Sequence, residues 1–219
     1  MAGTVPLAAS TVPHPRRPLG SGSAQDCGSV GVPGGPRWSG PLRHWYENDL
    51  GWATVPASPG EPLRLVTGVR FDVLDVPAGA GVEALRHLTP DSPVALQGER
   101  MRLLVAAGSA EELPGLLDWL EWGALALDLR ALGTRGRMDA PARPGHAEDL
   151  AEPVQGAAVW LRPPGCEVEA SLPTLSAAGR VGGAPDLVRV VETVATGCHR
   201  VRLRRAGRGP GSRQALASS

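Results

Sequence analysis

Residues 70–77 read RFDVLDVP, the most strand-like run of the chain, and this run carries two carboxylates. Side chains alternate between the two faces of a strand, so residues two apart share a face and residues three apart do not. Asp72 therefore shares a face with Leu74, whereas Asp75 shares the other face with Val73. The two acids cannot form one matched pair. Two interpretations follow: one acid belongs to a metal site, or Asp75 caps the turn into the next helix.

Helical and extended patterns alternate on both sides of this strand. Ser109 and Glu112 open the clearest helix with the spacing of a capping box. We predict an α+β domain over residues 39–205, with a mixed sheet of roughly six or seven strands covered by helices. The predicted helices are 40–50, 81–88, 109–122 and 185–205, and the predicted strands are 52–56, the two halves of 62–77 broken at Thr67-Gly68, 93–97, 100–107, 124–132 and 157–162.

The composition limits the class of protein. Acidic and basic residues number 22 each among 219, and every basic residue is arginine, so the net charge gives no global signature of a nucleic-acid binder. The Gly- and Pro-rich flanks, 1–38 and 206–219, are predicted to be disordered tails. The widely spaced cysteines, with neither a secretory signal nor an apolar membrane span, predict a cytoplasmic protein with free thiols and no membrane partner. These cysteines are Cys27, Cys166 and Cys198.

A second acidic site lies in the run ALALDLRAL, residues 124–132, where Asp128 and Arg130 are two apart. On a strand they share one face. A functional role would place Asp128 at a metal and Arg130 on a phosphate. The alternative is an exposed ion pair at the edge of a sheet.

Arginines are concentrated at the end of the last predicted helix, in the run RVRLRR at 200–205. Arg200, Arg202, Arg204 and Arg205 are the candidate contacts to nucleic-acid phosphates. The alternative is a solvated helix end, whose positive charges the helix dipole favours.

Four motifs follow one another in an order that resembles the N-terminal domain family of bifunctional DNA primase/polymerases, the prim-pol family, in a divergent form from high-GC bacteria. The resemblance covers residues 42–164. The motifs are the helix and strand LRHWYENDLGWATVP (42–56), the acidic strand VRFDVLDVPAGAG (69–81), the hairpin VALQGERMRLLVAAG (94–108) and the segment LDLRALGTRGRMDAP (127–141), followed by AAVWLRPP (157–164).

The resemblance implies an RRM-like sheet with helices on one side, and polymerisation of nucleotides on a DNA template with two divalent metals. In the family, carboxylates on two strands hold the metals and a hairpin histidine contacts the nucleotide phosphates. Carried over to this sequence, Asp72 and Asp128 become the catalytic candidates and the ligands for Mg²⁺ or Mn²⁺. Arg130 and Arg100 become the candidate substrate contacts.

Two departures from the family pattern bear on activity. The acids of the first motif are three apart rather than two, and the hairpin reads GERM (98–101) without a histidine. The sequence therefore favours a prim-pol-like domain that has lost polymerisation and acts as a nucleic-acid-associated or interaction module. Two alternatives remain: an active metal-dependent primase or nucleotidyl transferase with a rearranged site, and a non-enzymatic protein-interaction or regulatory protein. Its partners are then DNA or a nucleotide, or another protein.

Overall fold

A computed structural model describes residues 40–55, 61–146, 156–165, 167–175 and 184–207. All of these belong to one compact unit, 36–219. The predicted tail 1–38 lies outside the described residues, as do residues 208–219 of the second predicted tail. Cys27 and Cys166 lie outside them as well.

The described residues form four α-helices and eight β-strands. The helices are α1 (Gly40–His44, continued by a π-helical turn, Trp45–Asp49), α2 (Ala78–Ala84, continued by a 3-10 turn, Leu85–His87), α3 (Ser109–Trp119) and α4 (Leu187–Gly207). The strands are β1 (Thr54–Val55), β2 (Arg64–Val66), β3 (Phe71–Pro77), β4 (Val94–Gln97), β5 (Arg100–Ala106), β6 (Arg130–Leu132), β7 (Arg137–Asp139) and β8 (Val159–Arg162).

The strands form two sheets. Five strands pair in the order β6-β3-β5-β4-β8, and three pair in the order β1-β2-β7. Every pair of strands is antiparallel. The predicted α+β class is thus confirmed, whereas the prediction of a single mixed sheet is wrong. The second sheet forms because β7, which lies inside a stretch that had no predicted strand, pairs along its whole length with β2.

The strand β3 lies between β6 and β5 in the larger sheet and is buried on both faces. On one face, Leu74 and Val76 pack with residues of α2, α3 and α4 in one core cluster. On the other, Phe71 and Val73 pack with Trp52 and further residues of α1 and the smaller sheet in a second cluster. This explains why β3 has apolar side chains on both of its faces. We call the first the helix side of the sheet and the second the far side.

The turns predicted from the sequence are present in the structure, but one long predicted strand is mostly absent. The predicted break falls at Gly68, where φ is +84°, and the hairpin turns at Gly98, where φ is +55°. The predicted strand 124–132, however, is extended in the ladder only over 130–132. Residues 123–129 instead form a loop that leads from the end of α3 to the edge of the sheet. Asp128 therefore lies outside β6.

Candidate functional site

Asp72 lies on the helix side of β3 and is completely buried. Its Oδ2 accepts a hydrogen bond from the backbone N–H of Ala110 at 2.9 Å, in the first turn of α3. The first N–H groups of a helix have no partner within the helix, and a carboxylate there is also favoured by the helix dipole. Asp72 thus caps α3 from a distant strand. Ser109, the cap predicted from sequence, makes no capping hydrogen bond, because α3 begins at Ser109 itself, preceded by Gly108.

Among the described residues, the second oxygen, Asp72 Oδ1, is buried without a hydrogen bond of good geometry, although the backbone N–H groups of Gly108 and Gly68 are close enough to lower the pKa of this carboxyl. Burial raises the pKa of Asp72, the Ala110 N–H opposes that rise, and the nearby negative charge of Glu111 adds to it. A carboxyl group held toward its neutral form is a poor ligand for Mg²⁺, which binds ionised oxygens. The surroundings of Asp72 therefore suit a structural role.

Asp75 occupies a different environment on the far side of the sheet. In the strand register it lies between Arg102 of β5 and Arg130 of β6. Arg100 shares the same face of β5, two residues before Arg102. We call these four residues, Asp75, Arg100, Arg102 and Arg130, the arginine face. It is a polar surface at the end of the far side, beyond the apolar second core cluster.

Each of the three guanidinium nitrogens of Arg100 donates to a protein acceptor. Its Nε donates to Asp75 Oδ1 at 2.7 Å and its Nη2 to the Asp75 carbonyl at 2.8 Å. Its Nη1 donates to Asp128 Oδ1 at 2.7 Å. The two carboxylates raise the pKa of the Arg100 guanidinium against the opposing effect of burial. One side chain thus joins β3 to the loop at 123–129.

Arg102 is the residue that the sequence interpretation missed. It lies in the middle strand of the five, and its Nε and Nη1 are buried without a hydrogen-bond partner in the part of the chain that the structure describes. Buried donors without partners are rare in native proteins, and each one calls for a physical explanation. The available signal was the alternation in RMR, residues 100–102, which places two arginines on one face of a strand.

Asp72 and Asp128, the predicted metal pair, do not converge. Asp72 lies opposite Val105 in the β3–β5 ladder, whereas Arg100, which holds Asp128, lies opposite Pro77. Five residue steps along a strand span about 16 Å. Among the described residues, no group of three or more His, Cys, Asp or Glu side chains is arranged to hold a metal ion. These residues therefore do not fit a shared Mg²⁺ or Mn²⁺.

The arginines at the end of α4 have partners within the domain in three cases of four. Arg200 forms an ion pair with Glu83 at 3.0 Å, and Arg205 lies 3.5 Å from Asp128 Oδ2. Arg202 donates to the Ala126 carbonyl at 2.9 Å. For Arg204, the described part of the chain provides no ion pair. Their contact with nucleic acid stays a prediction.

Arg130 is exposed at the start of β6 and does not pair with Asp128, its neighbour two residues earlier. The local Asp128–Arg130 ion pair expected on a strand is replaced by the longer-range pair with Arg100. The strand alternation that separated the two acids of RFDVLDVP is confirmed, but Asp72 has the capping role that the sequence interpretation gave to Asp75.

No family model matches this sequence, and no curated protein or solved structure is significantly similar to it. The geometry of the site is therefore the basis for a function. In the described ranges, no helix combines the length and the apolar character needed to cross a membrane.

Proposed function

We propose that this chain is a prim-pol-like domain without polymerase activity, which binds a phosphate-bearing ligand on the arginine face. The ligand is a nucleotide, either free or within a nucleic-acid strand. The single observation that carries the proposal is Arg102, whose two buried guanidinium nitrogens have no hydrogen-bond partner among the described residues.

A phosphate would satisfy these donors once the Arg102 side chain turns toward solvent, because both nitrogens are buried in the structure. Guanidinium groups bind phosphate oxygens through two parallel hydrogen bonds, and such charge-assisted bonds are stronger than neutral ones. Arg130 is exposed on the same face and adds a second positive charge. The resemblance to the prim-pol family agrees with this position, since the family contacts nucleotide phosphates from the hairpin and Arg102 lies on the second strand of the hairpin here.

The same geometry argues against nucleotide transfer. Two-metal catalysis needs carboxylates that converge on both ions. Here Asp72 caps α3. The guanidinium of Arg100 donates one hydrogen bond to the carboxylate of Asp75 and another to that of Asp128. A ligand held by arginines alone would be retained without being polymerised, because positioning and charge stabilisation supply most of the rate of phosphoryl transfer.

Titration of the protein with ATP and with a labelled single-stranded oligonucleotide, both at low salt, tests the proposal. Binding of ATP would identify a free nucleotide as the ligand, and binding of the oligonucleotide alone would identify a strand. We expect Arg102→Ala to weaken binding by about tenfold or more, the loss typical of hydrogen bonds to a charged group. Arg102→Lys keeps the positive charge but not the two parallel N–H donors of the guanidinium, so it should weaken binding by an intermediate factor.

Arg189→Ala is the matched control, because Arg189 is exposed on the helix side and its removal changes the net charge equally. Equal weakening by both alanine variants, or no binding to the wild-type protein, would overturn the proposal. Incorporation of labelled nucleotide that depends on Mg²⁺ or Mn²⁺ would instead support the active alternative. Capture of a protein partner without any nucleotide binding would support the interaction protein.

A further inference from the structure

A continuous chain of contacts leads from the arginine face to the C-terminal helix. It begins at Asp75, passes through the Arg100 guanidinium and reaches Asp128 at 2.7 Å. Asp128 belongs to the loop at 123–129, which we call the α3–β6 loop. The contact between Arg100 and Asp128 is half-buried, with 27% and 38% of the two side chains exposed.

The α3–β6 loop is in turn held by one side of α4. The Cys198 thiol donates to the Asp128 carbonyl at 3.6 Å, and Arg202 donates to the Ala126 carbonyl at 2.9 Å. The ring of Trp122, just before the loop, lies 6.0 Å from the ring of His199. The loop has no ladder partner of its own in the described structure. These contacts position the loop together with the ion pairs of Asp128 with Arg100 and Arg205. Leu127 and Leu129 also pack against the helix-side core.

The single positive charge of Arg100 is already shared between two carboxylates. Its three guanidinium nitrogens already donate to Asp75 and Asp128. A phosphate bound at Arg102 would lie beside Arg100, two residues away on the same face of β5. The phosphate would compete with the two carboxylates for the charge of Arg100 and would repel both of them. Asp128 is the acceptor most easily released, because its carboxylate is the more exposed of the two and it lies in a loop.

We propose that phosphate binding on the arginine face and the docking of the α3–β6 loop on α4 are coupled through Arg100 and Asp128. This inference rests on the proposed function. The ligand draws Arg100 away from Asp128 and loosens the loop, and a loosened loop leaves Arg100 free for the ligand. Such coupling is reciprocal: release of the loop raises the affinity for the ligand by the same factor by which the ligand favours release of the loop.

Reciprocity gives an unusual expectation for Arg202. Arg202→Ala removes a positive charge, which by itself would weaken the binding of an anion, yet it also removes the hydrogen bond that holds Ala126. We expect it to raise the affinity for ATP by about fivefold, the low end of the range for coupled sites. Arg204→Ala, which removes the same charge from the same helix, is expected not to raise the affinity.

A second pair of variants tests the acidic partner. Asp128→Asn frees Arg100 and is expected to raise the affinity for ATP by a factor similar to that of Arg202→Ala. Glu99→Gln removes one negative charge from the residue next to Arg100 in the chain. Because the Glu99 side chain makes no hydrogen bond or ion pair within the described structure, this control is expected to change the affinity much less.

Hydrogen exchange of the wild-type protein with and without ATP is the direct readout and needs no variant. Amides of residues 123–129 should exchange faster in the complex, whereas those of β3 should not. Failure of ATP and oligonucleotide to bind would overturn the proposed function. Binding with unchanged exchange at 123–129, or equal affinities for Arg202→Ala and Arg204→Ala, would overturn the coupling while leaving the proposed function intact.

Discussion

The carboxylate of Asp72 and the backbone N–H of Ala110 lie 2.9 Å apart although 38 positions separate them in the chain. This one contact joins β3 to the start of α3. It also removes Asp72 from any surface where a ligand could bind. Four predictions follow from this contact and from others in the core.

Replacement of Asp72 separates its capping role from its charge. We expect Asp72→Ala to lower the free energy of unfolding by about 1–2 kcal/mol through the lost cap. Asp72→Asn keeps an acceptor oxygen and the shape of the side chain, so it should cost less. Urea unfolding measures both. Ser109→Ala is the control, since Ser109 has the sequence of a cap but makes no capping hydrogen bond. A loss for Ser109→Ala equal to that for Asp72→Ala would contradict the assignment.

The raised pKa of Asp72 predicts a definite dependence of stability on pH. A carboxyl whose pKa is higher in the folded state binds more protons there, so its contribution to stability falls as pH rises. That contribution is complete below the unfolded pKa of about 3.9 and is lost as pH rises through the folded pKa. Glu47 and Glu111 have lowered pKa values and act in the opposite sense.

The stability difference between wild type and Asp72→Asn isolates this contribution, because other carboxylates are common to both proteins. Wild type should lose stability relative to the variant as pH rises above about 4. Urea unfolding at a series of pH values provides the measurement. A difference that stays constant, or that changes in favour of wild type, would show that Asp72 is ionised without cost.

The packing of α2 against α4 depends on Gly197. A Cβ atom there would lie 2.9 Å from both the Cα and the carbonyl oxygen of Ala80, which are backbone atoms and cannot rotate away. Gly197→Ala must therefore push the two helices apart, at a cost of about 1–3 kcal/mol in unfolding free energy. Thermal unfolding should show a lowered midpoint.

Gly115 gives the matched control, because a Cβ atom at this position of α3 would meet nothing within 4 Å. Gly115→Ala should stabilise the protein by about 0.5–1 kcal/mol through helix propensity alone. A neutral effect at Gly197 would mean that the two helices are packed less tightly than the structure describes.

The thiol of Cys198 should be inert in the folded protein. Burial raises its pKa to about 11, with a smaller contribution from the charge of Asp128. Since the thiolate is the reactive form, labelling by a thiol reagent at neutral pH should be slow and should accelerate on unfolding. A Cys27→Ser/Cys166→Ser background makes Cys198 the one reporter. Rapid labelling of the native protein would contradict its burial.

Some of this architecture is determined locally, and the sequence predicts it for that reason. The apolar stripe of α4, the hairpin at Gly98 and the break at Gly68 depend on helical spacing and on the positive φ that glycine adopts easily. The alternation along a strand depends only on backbone geometry, and it correctly separated Asp72 from Asp75.

Other features depend on segments that are distant in the chain, and local patterns carry no signal for them. Residues 124–129 have the composition of a strand, but contacts with Cys198 and Arg202 hold them as a loop. For the same reason β7 was missed, because its pairing partner β2 lies more than 60 residues earlier along the chain.

The sequence alone therefore determined the α+β class, the positions of most helices and strands, and the separation of the two aspartates onto opposite faces. Only the tertiary structure decided what each face meets. One face meets the start of a helix, where unpaired N–H groups recruit Asp72. The other meets arginines from two neighbouring strands, where Asp75 and Asp128 share Arg100 and leave Arg102 without a partner. A charged group takes its role from the partners that folding brings to it, and those partners are set by long-range packing.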